Sequence, residues 1–140
     1  MTGDGNCLFR SISLAVSNME DHHYLLRHAI TDHQMQYLHR FAPSSPSTCS
    51  SLKRIENMKR NSEWGTDHEI TAAANLLGSS IVCCSKYGTT NELCLQHFSP
   101  HMINGGECTE TCNHNTIFLA NVGGSHYDLI ISVIQNIYEE

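Results

Sequence analysis

Asp4-Gly5-Asn6-Cys7-Leu8-Phe9-Arg10-Ser11-Ile12 is the stretch that decides how this chain of 140 residues is read. Gly5-Asn6 makes a tight turn, and Leu8, Ile12 and Ala15 or Val16 then recur at helical spacing, which predicts Cys7 at the N-terminal end of a first helix. Near the other end, Ser125-His126-Tyr127-Asp128 sets a histidine at the start of an apolar, strand-like run, with an aspartate two residues on. A free thiol is mostly protonated at neutral pH; a helix N-terminus and a neighbouring imidazolium both favour the thiolate. A histidine supplies the base, and the base needs a group to hold its ring. In a strand, residues two apart project from one face, so Asp128 stands where it can fix the tautomer of His126. The turn at Gly5 and Asn6 would aim backbone N–H groups at a developing oxyanion. Cys7, His126 and Asp128 are therefore the catalytic candidates, with Gly5 and Asn6 as an oxyanion loop.

Working outward, Leu25, Leu26, Ala29, Ile30, Tyr37 and Leu38 carry a second helical pattern over 22–39, and its histidines (His22, His23, His28, His33, His39) are expected on the exposed side. The stretch 41–51, rich in Ser and Pro, reads as an exposed loop. A short amphipathic helix using Leu52, Ile55 and Met58 follows. Thr66-Asp67-His68-Glu69 has the Thr-x-x-Glu form of a capping box, and the helix it opens runs through Ile70, Ala73, Ala74 and Leu77 to a cap at Gly78. From there the period changes. Ser80-Ile81-Val82-Cys83-Cys84, residues 93–98, Thr116-Ile117-Phe118-Leu119-Ala120 and residues 126–133 read as strands. Turns fall at Gly88-Thr89-Thr90-Asn91 and Gly123-Gly124, and 99–115 is a long polar segment. Helices first and strands later predict an α+β domain with a small sheet.

The composition fits an ordinary globular domain: 40% hydrophobic and 16% charged residues. A formal net charge of −6 argues against a nucleic-acid partner, which calls for clustered Lys and Arg. The one basic cluster, Lys53-Arg54 with Lys59-Arg60, is interrupted by Glu56 and reads as a solvated helix face. No apolar run approaches the ~18 residues of a membrane span. Seven cysteines cannot all pair within one chain, and the N-terminus lacks the basic and apolar regions of a signal peptide. Free thiols in a reducing, intracellular and cytoplasmic setting are expected. Cys83, Cys84 and Cys94 read as inert core thiols, and Trp64 as a core aromatic.

Three motifs together resemble a known family. Gly3-Asp4-Gly5-Asn6-Cys7-Leu8-Phe9-Arg10-Ser11 is similar to the catalytic-cysteine motif of the ovarian-tumour (OTU) cysteine proteases. Trp64-Gly65-Thr66-Asp67-His68-Glu69-Ile70 with Ala72-Ala73-Ala74 resembles the family's central Trp-Gly helix motif. Ile117-Phe118-Leu119 with His126-Tyr127-Asp128 is similar to its catalytic-histidine block. The resemblance spans Gly3 to Ile131, in the family's order, and residues 1–140 read as a single OTU domain. Only Met1-Thr2 precedes Gly3 where family domains usually carry more, so part of the N-terminal extension is expected to be lacking.

What the resemblance implies is a papain-like α+β fold, its small central sheet packed between helices, and a deubiquitinase activity. That activity is hydrolysis of the isopeptide bond after the C-terminal glycine of ubiquitin. Carried over by position, Cys7 is the nucleophile, His126 the general base and Asp128 its orienting residue. Asp4 shapes the loop before the cysteine and helps form the oxyanion site, and Trp64 and Glu69 are structural. No metal or organic cofactor is implied. The partner is ubiquitin, polyubiquitin or a ubiquitin-like modifier, and the negative charge suits ubiquitin's arginine-bearing tail.

Two other classes stand beside this reading. One is an OTU module that binds ubiquitin or a related modifier but turns over weakly or not at all. The other is a zinc site at Cys108, Cys112 and His114, with His101 or Cys94 as a fourth ligand. That spacing is loose, and free loop thiols are the preferred reading.

Overall fold

Asn6 ends the turn and Cys7 begins helix α1, Cys7–Ser17, whose residues Leu8, Phe9 and Ile12 are buried. The computed structural model describes residues 5–38, 48–86, 93–100, 116–122 and 126–130. Asn18, in the left-handed conformation, closes α1 by donating its N–H to Leu14. A short 3₁₀ turn, Glu20–His22, leads into α2, His23–Gln36.

α2 departs from its sequence pattern. The buried face is Arg27, Ile30, Thr31 and Gln34, while Leu25 and Ala29, read as core positions, are exposed. The reason is a supply of buried partners for the polar side chains: Gln34 donates to the Glu69 carboxylate at 2.9 Å, and Thr31 to the Arg27 carbonyl at 2.9 Å. Of the described histidines in this stretch only His22 is exposed; His23, His28 and His33 are half-buried. His33 Nε2 lies 2.7 Å from Asn75 Oδ1, and Asn75 in turn donates to the Pro100 carbonyl at 2.8 Å.

Helix α3, Thr48–Met58, begins inside the stretch expected to be loop. The last proline of that stretch is Pro46, so nothing from Thr48 onward forbids helical hydrogen bonding. Arg54 was read as part of a solvated basic face, but its Nη1 donates to Glu69 at 3.2 Å. The helix α4, Asp67–Leu77, has the capping box expected from its sequence, and Gly78 (φ +64°) is its left-handed cap. Glu69 is fully buried and saturated: Thr66 N–H and Oγ–H donate to one carboxylate oxygen, Gln34 and Arg54 to the other.

The strands β1, Ser80–Lys86, β2, Leu93–Phe98, β3, Thr116–Val122, and β4, His126–Leu129, form one mixed sheet of order β2-β1-β3-β4. β1 runs antiparallel to β2 and parallel to β3, and β3 antiparallel to β4. The register puts Ile81 opposite both Phe98 and Ile117, and Cys83 opposite Leu119. These five join Tyr127 and the buried residues of α1 and α4 in one core. The alternate positions Val82, Cys84 and Phe118 belong to the other face, with exposed Leu95 and Val122.

Three thiols and an aromatic meet different ends. Cys83 is buried, Cys84 is half-buried and Cys94 is exposed, because β2 is an edge strand. Burial pushes the Cys83 thiol up to about 12, with nearby Asp67 and Cys84 adding to the shift. Trp64 is 41% exposed rather than a core aromatic. Its neighbour Gly65 takes the packing position instead, since a Cβ there would stand 2.4 Å from Leu8 Cδ2.

Asp4, the turns expected at 88–91 and 123–124, the end of the expected fourth strand, and His101, Cys108, Cys112 and His114 lie outside the described residues. Among the described residues no cluster of three His, Cys, Asp or Glu could hold a metal, and no helix is long and apolar enough to cross a membrane.

Candidate active site

The site is built where the start of α1 meets β4. Gly5 has φ +85°, a conformation that an L side chain resists, and a Cβ there would lie 1.9 Å from the Ser62 carbonyl oxygen. The chain can turn into α1 only with glycine at this position. Asn6 is the N-cap residue, yet its side chain makes no cap. Its Oδ1 instead accepts N–H groups from Arg27 and Ser62, each at 2.9 Å. The first helical bond, Arg10 N–H to Asn6 O, is 2.8 Å, and no acidic side chain occupies the first turn. The N-terminus of a helix favours a negative charge, and Cys7 stands there.

Cys7 is almost fully buried. The Tyr127 N–H points at its sulfur, N to Sγ 3.4 Å, so β4 touches the nucleophile candidate one residue after His126. Ser11, a turn further along α1, braces this junction: its hydroxyl lies 2.8 Å from the Cys7 carbonyl and 3.1 Å from that of Tyr127. Thus residues 120 apart in sequence are held side by side by a strand amide and one serine.

The His126 and Asp128 side chains meet as their spacing predicts, His126 Nε2 to Asp128 Oδ1 3.1 Å. The carboxylate accepts, so the Nε2 proton is held and the neutral ring presents Nδ1 as its acceptor. This pair is wetter than Cys7, with 25% of the His126 and 42% of the Asp128 side chain exposed. Tyr127 between them is buried, and its phenol is pushed up to about 12 by desolvation first and by nearby acidic groups including Cys83 and Asp67.

The structure therefore assembles Gly5, Asn6, Cys7 and the His126–Asp128 strand at one corner of the fold. It also shows a residue that sequence reading passed over. Arg27 is wholly buried beneath the Gly5–Asn6 turn. The signal that would have found it is the i, i+4, i+7 series Arg27, Thr31, Gln34, a polar stripe on a helix.

With this geometry in place, the comparisons agree on one family. The model of the OTU-like cysteine proteases matches residues 2–121. The chain belongs to this family. A curated relative, "OVARIAN TUMOR DOMAIN-containing deubiquitinating enzyme 9" of Arabidopsis thaliana, is 29% identical over 99 residues, covering 71% of this chain and 27% of the relative. The chain thus spans about a quarter of that relative's length. Among solved structures, the OTU domain of OTUD1 superposes with TM-score 0.76 at 21% identity, over 92% of this chain and 81% of that one. The Hazara virus OTU bound to ubiquitin gives TM-score 0.65 at 20% identity over 94% and 80%. An OTU deubiquitinase from Wolbachia pipientis wMel bound to ubiquitin gives 0.63 at 17% over 92% and 91%. The α+β OTU fold is common to all of them.

Proposed function

We propose that this OTU domain is a deubiquitinase that cleaves the isopeptide bond after the C-terminal glycine of ubiquitin. The observation that carries the reading is the junction of Cys7 with β4: a strand amide on the sulfur, and the bonded His126–Asp128 pair flanking that amide. The relatives supply the substrate class. One is named a deubiquitinating enzyme, and two OTU domains of the same fold are solved with ubiquitin bound.

In this mechanism His126 Nδ1 takes the Cys7 proton, and the thiolate attacks the carbonyl carbon of the scissile bond. The C=O electron pair moves onto oxygen, giving an oxyanion opposite the amides of Asn6 and Cys7 at the start of α1. The oxyanion collapses, the C–N bond breaks, and the lysine amine leaves with the proton from His126. A thioester to Cys7 remains. Water, deprotonated by His126, then cleaves it to the free ubiquitin carboxylate and the Cys7 thiol. Asp128 keeps the imidazole in the tautomer that performs both transfers. No step calls for a metal or cofactor, and an intracellular, cytoplasmic setting belongs to the same proposal.

The test is reaction with ubiquitin bearing a thiol-trapping electrophile at its C-terminus, on the wild type, Cys7→Ala and His126→Ala. An adduct on the wild type that disappears in Cys7→Ala supports the reading. Saturable ubiquitin binding without an adduct would favour the weakly active binding module instead. Neither binding nor adduct on folded protein would overturn both.

A further inference from the structure

We propose that Arg27 is the positioning residue of the oxyanion loop, acting from helix α2 through the Gly5–Asn6 peptide. The inference rests on the cysteine-protease reading of Cys7 given above.

Its side chain is fully buried, and its planar fork gathers two segments far apart in sequence. From Nη2, N–H groups face the Gly5 carbonyl at 3.2 Å, Asn6 Oδ1 at 2.9 Å and the Glu63 carbonyl at 2.8 Å. Nη1 donates to the Met58 carbonyl at 2.8 Å. The guanidinium lies over the Phe9 ring, 4.2 Å from its centroid, two residues beyond Cys7. Ser62 closes the arrangement by donating its N–H to the same Asn6 Oδ1. The loop that delivers Cys7 and the segment 58–63 are thus clipped together by one cation and one asparagine.

The peptide plane makes this more than packing. In a trans peptide the C=O and the following N–H point in opposite directions. Drawing the Gly5 carbonyl inward to Arg27 turns the Asn6 N–H the other way, to the side on which an oxyanion would form. Holding Asn6 Oδ1 also keeps that side chain from capping α1 and consuming its first-turn amides. Arg27 so fixes the direction of the loop's donors while standing behind them. A lysine cannot substitute: it offers a point charge on a flexible stem rather than a rigid fork spanning both segments.

The experiment compares Arg27→Lys and Arg27→Gln with the wild type, and with Lys59→Gln, which removes a positive charge from a surface pair with Asp32. Three readouts are taken on the full chain: kcat and KM on ubiquitin with a C-terminal fluorogenic amide, the rate of Cys7 alkylation by iodoacetamide, and amide hydrogen exchange. Alkylation displaces iodide at a saturated carbon and forms no oxyanion, so it reports the thiol alone. For both Arg27 variants kcat is expected to fall about 30-fold or more, as for loss of an oxyanion donor. KM and the alkylation rate stay within about threefold, and exchange at Asn6 and Cys7 quickens about tenfold while α4 and β1 are unchanged. Lys59→Gln leaves kcat within about twofold.

A folded Arg27→Lys protein with wild-type kcat would overturn the proposal, as would alkylation slowing in step with kcat. Should both Arg27 variants fail to fold, Asn6→Ala decides the matter. It removes the acceptor shared by Arg27 and Ser62 but keeps the guanidinium, and the same split of kcat from alkylation is expected; a wild-type kcat there refutes it. If the wild type itself releases no fluorophore, the deubiquitinase reading falls, while exchange at Asn6 and Cys7 still tests the positioning.

Discussion

The two halves of the candidate active site are held by different physics. Around Cys7 the turn and the guanidinium behind it are buried: a glycine without room for a Cβ, an asparagine locked between Arg27 and Ser62, and a guanidinium among carbonyls. Around His126 the pair sits on an edge strand with a quarter of the histidine and two-fifths of the aspartate side chain in contact with water. A buried hydrogen bond lost leaves its partner unsatisfied, at the full cost of desolvation. An exposed one is replaced by water. The half around Cys7 is therefore rigid and intolerant, and the half around His126 is adjustable.

The largest expected effect breaks the rigid half directly. Gly5→Ala must place a Cβ against the Ser62 carbonyl at positive φ, and about 3 kcal/mol or more of stability should vanish. Urea unfolding measures it, and a variant as stable as wild type would show that the loop yields. On the other half, His126→Ala should lower kcat/KM by about a thousandfold, whereas Asp128→Ala should cost only about tenfold, because water can take the Nε2 proton's hydrogen bond. Equal losses would erase the contrast.

Ser11→Ala probes the seam between the halves. Removing the hydroxyl shared by the Cys7 and Tyr127 carbonyls should cost about 1–2 kcal/mol in thermal or urea unfolding, with alkylation of Cys7 retained. The smallest effect is alkaline. Cys83 and Tyr127 are both raised to about 12 in the folded chain, above ordinary values of 9.0 and 10.0. The unfolded chain therefore loses these protons first, and stability that is full below pH 9 should decline as pH climbs toward 12. Cys83→Ala should flatten that decline between pH 9 and 11, read from urea midpoints.

Much of this was legible in the residues. The Gly-Asn turn before a helix, the His-x-Asp spacing on a strand, the Thr66–Glu69 capping box and the Gly78 cap depend on neighbours within a few positions, so local pattern suffices for them. The early start of α3 was hidden because Ser and Thr serve loops and helix beginnings alike.

Trp64 and Arg27 show where pattern fails. Composition would bury the indole and expose the guanidinium, and the fold does the reverse. Gly65 packs against Leu8, so the chain brings backbone rather than the indole to that spot. Helix α2 offered two faces, an apolar one with Leu25 and Ala29 and a polar one with Arg27, Thr31 and Gln34. The sequence by itself determined that α2 is a helix and that His126 and Asp128, two apart on a strand, meet. Only the tertiary structure decided which face of α2 turns inward, because the carbonyls that make burial of Arg27 tolerable come from the turn at Gly5, the end of α3 at Met58 and the segment after it at Glu63, which no local window contains.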